Sequence, residues 1–178
     1  MEPPPVDGPD EPPSDPESVA RAICLRALTQ RAQTRSELAS TLRKRGVPDQ
    51  AATAVLDRFT EIGLIDDRAL ALSFSEAAHR ERGLSRRAVS ERLRKRGVDA
   101  EDVEAAVEGI DADSEREAAR ELARRKARSL RGVAPEAQAR RLASLLARRG
   151  YGPAMAFSVA REFVQLDDAT AGSVPDLD

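Results

Sequence analysis

Cationic side chains gather in short clusters along this chain: Arg43-Lys44-Arg45, Arg86-Arg87, Arg94-Lys95-Arg96, Arg124-Arg125 with Arg128, and Arg148-Arg149. Guanidinium and ammonium groups placed this way bind phosphate or carboxylate oxygens through charge-assisted hydrogen bonds. Such contacts position a protein on an anionic partner and carry little sequence information. Other residue types capable of chemistry are sparse. His79, in "EAAHRERG", has beside it in sequence neither the nucleophile nor the orienting group that a catalytic base needs. Cys24 lies in an apolar stretch and reads as a small core residue. Asp66-Asp67 suggest paired carboxylates for a metal, but the simpler reading is a cap on the helix that follows. No P-loop, dinucleotide-binding glycine pattern or metal-binding His-Glu motif is present. One Cys and one His allow neither a disulfide framework nor a His/Cys zinc site within the chain. The sequence therefore points to a binding protein rather than an enzyme, with no cofactor, no metal and no catalytic residue expected.

The charge is segregated. Residues 1–17 hold six acidic residues and no basic one, and residues 165–178 hold four acidic and no basic one. Residues 18–164 carry 29 basic against 21 acidic side chains, a net of +8 that the whole-chain value of −2 conceals. Both acidic ends are poor in residues to bury and are expected to be disordered tails. Two readings of these tails stand side by side, as solubilising segments or as intramolecular competitors for the body's anionic partner. No apolar run approaches a membrane span, and no basic-then-apolar leader opens the chain. A reducing cytoplasm and no membrane partner are expected.

The elements that must position these cations are written three times. "LRKRGV" occurs at 42–47 and again at 93–98, and "LARRGY" stands at 146–151. Aligned on Gly46, Gly97 and Gly150, the positions eight and four residues before the glycine are apolar in all three copies: Leu38, Val89 and Leu142, then Leu42, Leu93 and Leu146. Positions six, nine, ten and thirteen after it are apolar as well: Ala52, Val103, Ala156; Val55, Ala106, Val159; Leu56, Val107, Ala160; Phe59, Ile110, Phe163. These offsets trace one face of a short helix that ends at the glycine and one face of a second helix after it. Thr34-Arg-Ser-Glu37 spells a capping box. Ser85 and Asp99 stand where caps are needed, and Pro48, Pro135 and Gly152-Pro153 stand at helix starts. A further helix precedes each pair, over 17–31 with Val19, Ile23, Ala27 and Leu28, over 67–81 with Leu70, Phe74, Ala77 and Ala78, and over 114–130 with Ala118, Leu122 and Ala123. With aromatics at only 3%, the core is Ala, Leu and Val, which suits closely packed helices.

The expected architecture is all-α. Three tandem three-helix modules, 18–65, 66–111 and 112–164, lie between disordered tails, 1–17 and 165–178. The stretch "SLRGVAPE" (129–136) reads as a flexible connection that lets the third module swing. The glycines are expected to end helices in a left-handed conformation, and the cations before them to complement the helix dipole. That role accounts for the repeated phrase whether or not a partner is bound.

By module, residues 18–65 carry +4, 66–111 carry −2 and 112–164 carry +6. Basic ends with a mildly acidic centre do not make a uniform DNA-tracking groove, and the middle module suits a protein contact. In the third module Arg116, Arg120, Arg124 and Arg128 recur every four residues, thickened by Arg125 and Lys126. The stripe suits an anionic partner, or is a solvated face. A helix-turn-helix reading is disfavoured, because "DAEDVEAAVEGI" (99–110) is acidic on its exposed positions and unsuited to a major groove.

The stretch "VLDRFTEIGLIDDRALALSF" (55–74), followed by "RGLSRRAVSERLRKRGV" (82–98), resembles the RecX regulatory proteins, modulators of the RecA recombinase. The resemblance rests on Gly63-Leu64-Ile65-Asp66-Asp67, Phe74, Gly83, and the Leu93 to Gly97 ending, within a repeat spanning about 18–164. Leu70 stands where the family often has an aromatic, and Ser85 lies near a position that is commonly Pro. The resemblance implies an elongated, curved helical repeat and a non-enzymatic regulator, itself monomeric, that binds RecA as monomer or filament. It implies restraint of filament growth, ATP hydrolysis and strand exchange, with the cation clusters touching partner and DNA phosphates. Two alternatives remain open on the residues alone: a stand-alone nucleic-acid-binding repeat, and a general helical adaptor.

Overall fold

The computed structural model describes residues 15–171, with side chains described for residues 15–164. The described residues are helical, with turns and no strand. They divide into two compact units, one ending at Asp67 and one beginning at Arg68.

The first unit packs α1 (Pro16–Gln30), α2 (Arg35–Lys44) and α3 (Asp49–Glu61) around Ala20, Cys24, Leu38, Leu42, Val55, Leu56 and Phe59. The second unit takes in α4 (Asp67–Arg80) from Arg68 onward, then α5 (Arg86–Lys95) and α6 (Ala100–Val107), built around Val89, Leu93, Val103 and Val107. It continues with α7 (Ala112–Ala127), a 3-10 turn at Arg128–Leu130, α8 (Pro135–Arg148) and α9 (Pro153–Ala171), whose core holds Leu142, Leu146, Tyr151 and Val159. The chain is an all-α repeat of three-helix bundles.

The repeated phrase is a helix ending. In each copy the glycine has positive φ: 75° at Gly46, 78° at Gly97 and 91° at Gly150. The residue after it returns its amide to the leucine five residues back: Val47 to Leu42 at 3.1 Å, Val98 to Leu93 at 3.2 Å, Tyr151 to Leu146 at 3.2 Å. The glycine amide bonds the carbonyl three residues back, on Arg43, Arg94 and Ala147. This is the Schellman pattern, in which an apolar residue beyond the glycine packs on the leucine that accepts its amide. All six of those apolar side chains are buried. Gly63, with φ 74°, closes α3 the same way through Leu64 and Phe59.

Every apolar position aligned across the three copies is buried except Phe163, which is half-buried. Thr34 and Glu37 form a complete capping box: Glu37 N–H donates to Thr34 Oγ1 at 3.1 Å and Thr34 N–H to Glu37 Oε2 at 3.0 Å. Ser85 Oγ accepts the amide of Ala88 at 3.1 Å. Asp99 occupies the N-cap of α6, but its side chain makes no capping hydrogen bond; its carbonyl accepts from Val103 instead. Asp67 does more than start α4, because its Oδ1 accepts the first amide of α2, that of Arg35, at 2.9 Å.

The leading helix of each bundle is turned slightly from the expected face. Val19 is exposed, and the buried positions are Ala20 and Cys24 in α1, Ala71, Ser75 and Ala78 in α4, and Ala119, Leu122 and Ala123 in α7. Small side chains let this helix approach its partners closely, and that closeness fixes the face. Helix α1 starts at Pro16, with Asp15 Oδ atoms accepting the amides of Glu17 and Ser18, so helix begins inside the acidic stretch 1–17. Residues 1–14 lie outside the described residues. Helix α9 runs on to Ala171, into the stretch 165–178 that composition assigns to a tail; residues 172–178 lie outside the described residues.

The segment 129–136 is not a connection between bundles. It lies inside the third one, where Leu130 is buried and accepts the amide of Val133 at 3.0 Å. The real junction in the second unit is short and tied. Ser85 N–H donates to the carbonyl of Arg149 at 3.0 Å, and Arg86 N–H donates to Glu115 Oε1 at 2.8 Å. A Cβ added to Gly150 would stand 2.5 Å from Ser85 Oγ and 2.6 Å from the Ala88 methyl, whereas one on Gly46 would meet nothing within 4 Å. The two glycines share a backbone role but not a packing role. Gly46→Ala is expected to cost about 1–2 kcal/mol through left-handed strain. Gly150→Ala is expected to cost roughly 1–3 kcal/mol more through overpacking. Urea unfolding followed by circular dichroism measures both, and equal losses would mean that the junction is not packed at Gly150.

Candidate functional site

The clusters around Arg43, Arg94 and Arg148 occupy helix ends, because the Schellman turn places them there; Arg86 and Arg87 instead open α5, and Arg124, Arg125 and Arg128 lie where α7 runs into the 3-10 turn. Arg43 and Lys44 lie in the last turn of α2, Arg94 and Lys95 in that of α5, Arg124 and Arg125 in that of α7, and Arg148 in that of α8. All of these side chains are exposed. They divide by what they touch.

Several are held by the fold. Arg86 and Arg94 share Glu104 of α6, at 3.4 and 3.5 Å. Lys95 bonds Glu91 at 2.8 Å, and that contact holds the Glu91 carboxyl below its usual range. Arg96 lies 5.7 Å from the ring centre of Phe74, within cation–π reach. Arg124 and Arg125 both meet Glu121. The Arg149 guanidinium donates to the carbonyl of Arg82, tying the third bundle to the second.

The others have no ion pair among the described residues: Arg43, Lys44, Arg45, Arg87, Arg128 and Arg148. In the first unit Arg45 joins Arg26 and Arg31 around a hollow of about 430 Å³ between α1 and α2. In the second unit Arg86, Arg87 and Arg94 converge on a hollow of about 490 Å³ at the bundle junction, beside Glu115 and Tyr151. Burial pushes the Tyr151 phenol up to about 12, so it stays neutral there. Arg148 joins Lys126, Arg140 and Arg141 along an open groove of about 610 Å³ beside α8. Among the described residues no carboxylate lines that groove.

The stripe on α7 is not one anion-binding row. Arg116 and Arg120 reach α9, where both bond Glu162, at 2.6 and 2.8 Å. Arg116 also donates to Ser158 Oγ at 3.0 Å. The first half of the stripe is thus an internal clamp between α7 and α9. Arg140 and Arg141 are the cations that sequence reasoning passed over. Their signal was periodic: Ala137, Arg140, Arg141, Ser144 and Arg148 share one face of α8.

The remaining candidates for chemistry are structural. Cys24 is fully buried, and burial pushes its thiol up, which keeps it protonated. His79 Nδ1 lies 2.8 Å from the carbonyl of Leu84 in the turn before α5. No group of three or more His, Cys, Asp or Glu side chains converges as a metal site among the described residues. No helix among them is long and apolar enough to cross a membrane.

Family comparison agrees with this geometry bundle by bundle. Residues 20–59 match the RecX first three-helix domain, 66–107 the second and 113–159 the third. The chain belongs to the RecX family. Among its relatives, the regulatory protein RecX of Streptomyces coelicolor is 48% identical over 155 residues, covering 87% of this chain and 82% of that one. The regulatory protein RecX of Thermobifida fusca is 44% identical over 168 residues and 91% of each chain. The crystal structure of RecX from Lactobacillus salivarius shares the fold, with a TM-score of 0.71 at 18% identity over 85% of this chain and 98% of that one. The RecX-like segment Gly63–Asp67 has an architectural role here: Gly63 ends α3, Ile65 is buried, and Asp67 holds the start of α2.

The Glu162 clamp yields a pH-dependent prediction. The hydrogen bond from Arg120, with Arg116 beside it, holds the Glu162 carboxyl below its usual range. Its stabilising contribution is therefore full at neutral pH and is lost as pH falls through the lowered folded-state value. The loss of thermal stability in Glu162→Gln is expected to be largest near neutrality and to shrink below about pH 4. A difference that does not vary with pH, in melting curves across this range, would show the clamp to be packing rather than charge.

Proposed function

We propose that this protein binds the RecA recombinase and its DNA filament and restrains filament growth, ATP hydrolysis and strand exchange. The observation that carries this reading is 44–48% identity, over most of the chain, to proteins named regulatory protein RecX. The arrangement of charge supports it. Arg43, Lys44 and Arg45 on the first unit, and Arg87, Arg128 and Arg148 on the second, project from helix ends without an internal carboxylate. They are the contacts that an anionic partner surface or a DNA backbone would take first. Arg86, Arg94, Lys95, Arg96, Arg124, Arg125 and Arg149 contribute by exchanging an internal partner for an external one, at a cost in stability. In this reading the protein acts as a monomer in the cytoplasm and is not an enzyme.

The groove of Lys126, Arg140, Arg141 and Arg148 favours direct DNA contact as part of the mechanism. It also keeps a second reading in view, a nucleic-acid-binding repeat that needs no recombinase. RecA-catalysed ATP hydrolysis on single-stranded DNA, with this protein titrated from far below the RecA concentration, separates the two. Strong inhibition at low ratios is expected. No inhibition at equal concentration, with DNA binding retained, would install the second reading instead. Replacing Arg43, Lys44 and Arg45 together by Ala is expected to weaken inhibition several-fold. Replacing Arg128 and Arg148 by Ala is expected to flatten the salt dependence of DNA binding by roughly one unit of log–log slope per lost phosphate contact.

A further inference from the structure

The groove beside α8 does not stop at its cations. It continues into a second, apolar slot of about 310 Å³ between α8 and α9. Arg140 and Ser144 line both. The slot is lined by small side chains, Ala143, Ala147 and Ala156, and by Pro153. One wall is Phe157, a residue 53% exposed although aromatics are scarce in this chain. The core has no use for that ring: Ala156, Val159 and Ala160 supply the buried face of α9. Cations in a row, with no carboxylate among the described residues of the groove, lead to a slot that takes one flat apolar group.

We infer that this third-bundle surface is a single-stranded DNA site, in which Lys126, Arg140, Arg141 and Arg148 follow the phosphates and an unpaired base stacks on Phe157. A single strand is the ligand whose chemistry alternates in this way, an anion on one side of each sugar and a flat aromatic group on the other. Proteins that hold single strands without sequence preference pair a cationic groove with an aromatic platform. Arg140 stands at the corner between the two parts, where it can hold a phosphate while the attached base turns towards the ring. A duplex would satisfy the cations but not the slot, because its bases are already stacked on one another. A protein segment would need acidic groups along the whole groove and one aromatic side chain at its end. The inference rests on the DNA-binding part of the proposed function and adds strand selectivity to it.

The test measures binding of the full-length protein, without recombinase, to labelled oligo(dT), a duplex and an abasic oligomer of equal length. Oligo(dT) is expected to bind best. Phe157→Ala, an exposed position that should leave the fold and its circular dichroism intact, is expected to weaken oligo(dT) binding roughly tenfold. It should leave the salt slope and abasic binding unchanged. Arg140→Gln with Arg141→Gln is expected to lower the salt slope for all three ligands. The chain has no Trp, so Phe157→Trp supplies a single reporter that should keep affinity and be quenched by oligo(dT) but not by the abasic strand. Unchanged oligo(dT) affinity in Phe157→Ala, or equal quenching by the abasic strand, would overturn the stacking site. If RecA ATPase inhibition then persists in that variant, the regulatory reading stands without it. If Phe157→Ala spares oligo(dT) binding but abolishes the inhibition, the slot holds a protein side chain, and this inference fails.

Discussion

An amide that reaches back five residues sets the geometry of every bundle in this protein. Val47, Val98 and Tyr151 each donate to a leucine carbonyl at the end of the preceding helix, and a glycine with positive φ makes the reversal possible. The same stroke buries the leucine and the residue that reaches it, so the turn angle and the core are one constraint. The helix after the turn has no freedom to choose another face. Its offsets from the glycine decide which side chains enter the core, and those offsets are common to all three copies.

That constraint also distributes the charge. The last turn before such a glycine is exposed on its outer side and carries the negative end of the helix dipole, so cations are at home there. Each bundle thereby acquires a cluster of basic residues at one defined corner for purely structural reasons. What differs between corners is whether the fold consumes the charge. Glu104 and Glu91 neutralise the cluster at the end of α5, whereas among the described residues no carboxylate pairs with Arg43, Lys44 or Arg45. A mildly acidic centre and more openly basic flanks follow from this difference.

The repeat and the buried positions flanking each glycine were legible in the sequence, because Schellman endings and capping boxes are local codes; the buried face of the leading helices was not, because it depends on Ala20, Ala71 and Ala119 packing closely against other helices. Leu42, Leu93 and Leu146 announce themselves by their distance from a glycine. Interactions that join separate elements carry no such code. Nothing in the run Arg116, Arg120, Arg124, Arg128 says that Glu162 on α9 will occupy its first half. Nothing near Gly150 distinguishes it from Gly46, although only Gly150 sits against Ser85 and Ala88. The flat groove face holding Arg140 and Arg141 was readable from helical spacing, but its value depends on Lys126 arriving from another helix. The stretch 129–136 misleads because Gly and Pro mark a tight internal turn as readily as a flexible joint.

The tie between Ser85 and Arg149 has a consequence for synthesis. A ribosome delivers this chain from its first residue, and small domains fold as they emerge. Residues 15–67 have all of their core and the Asp67 cap in hand once that stretch is out. The Ser85 amide, at the start of α5, finds its acceptor only when Arg149 appears, and the Arg86 amide waits for Glu115. The second bundle thus has its own core in hand by Ile110 but gains these two acceptors only as the third emerges. A nascent chain stalled short of Arg149 therefore leaves the Ser85 amide at the start of α5 without its acceptor, so the seam between the last two bundles closes late in synthesis.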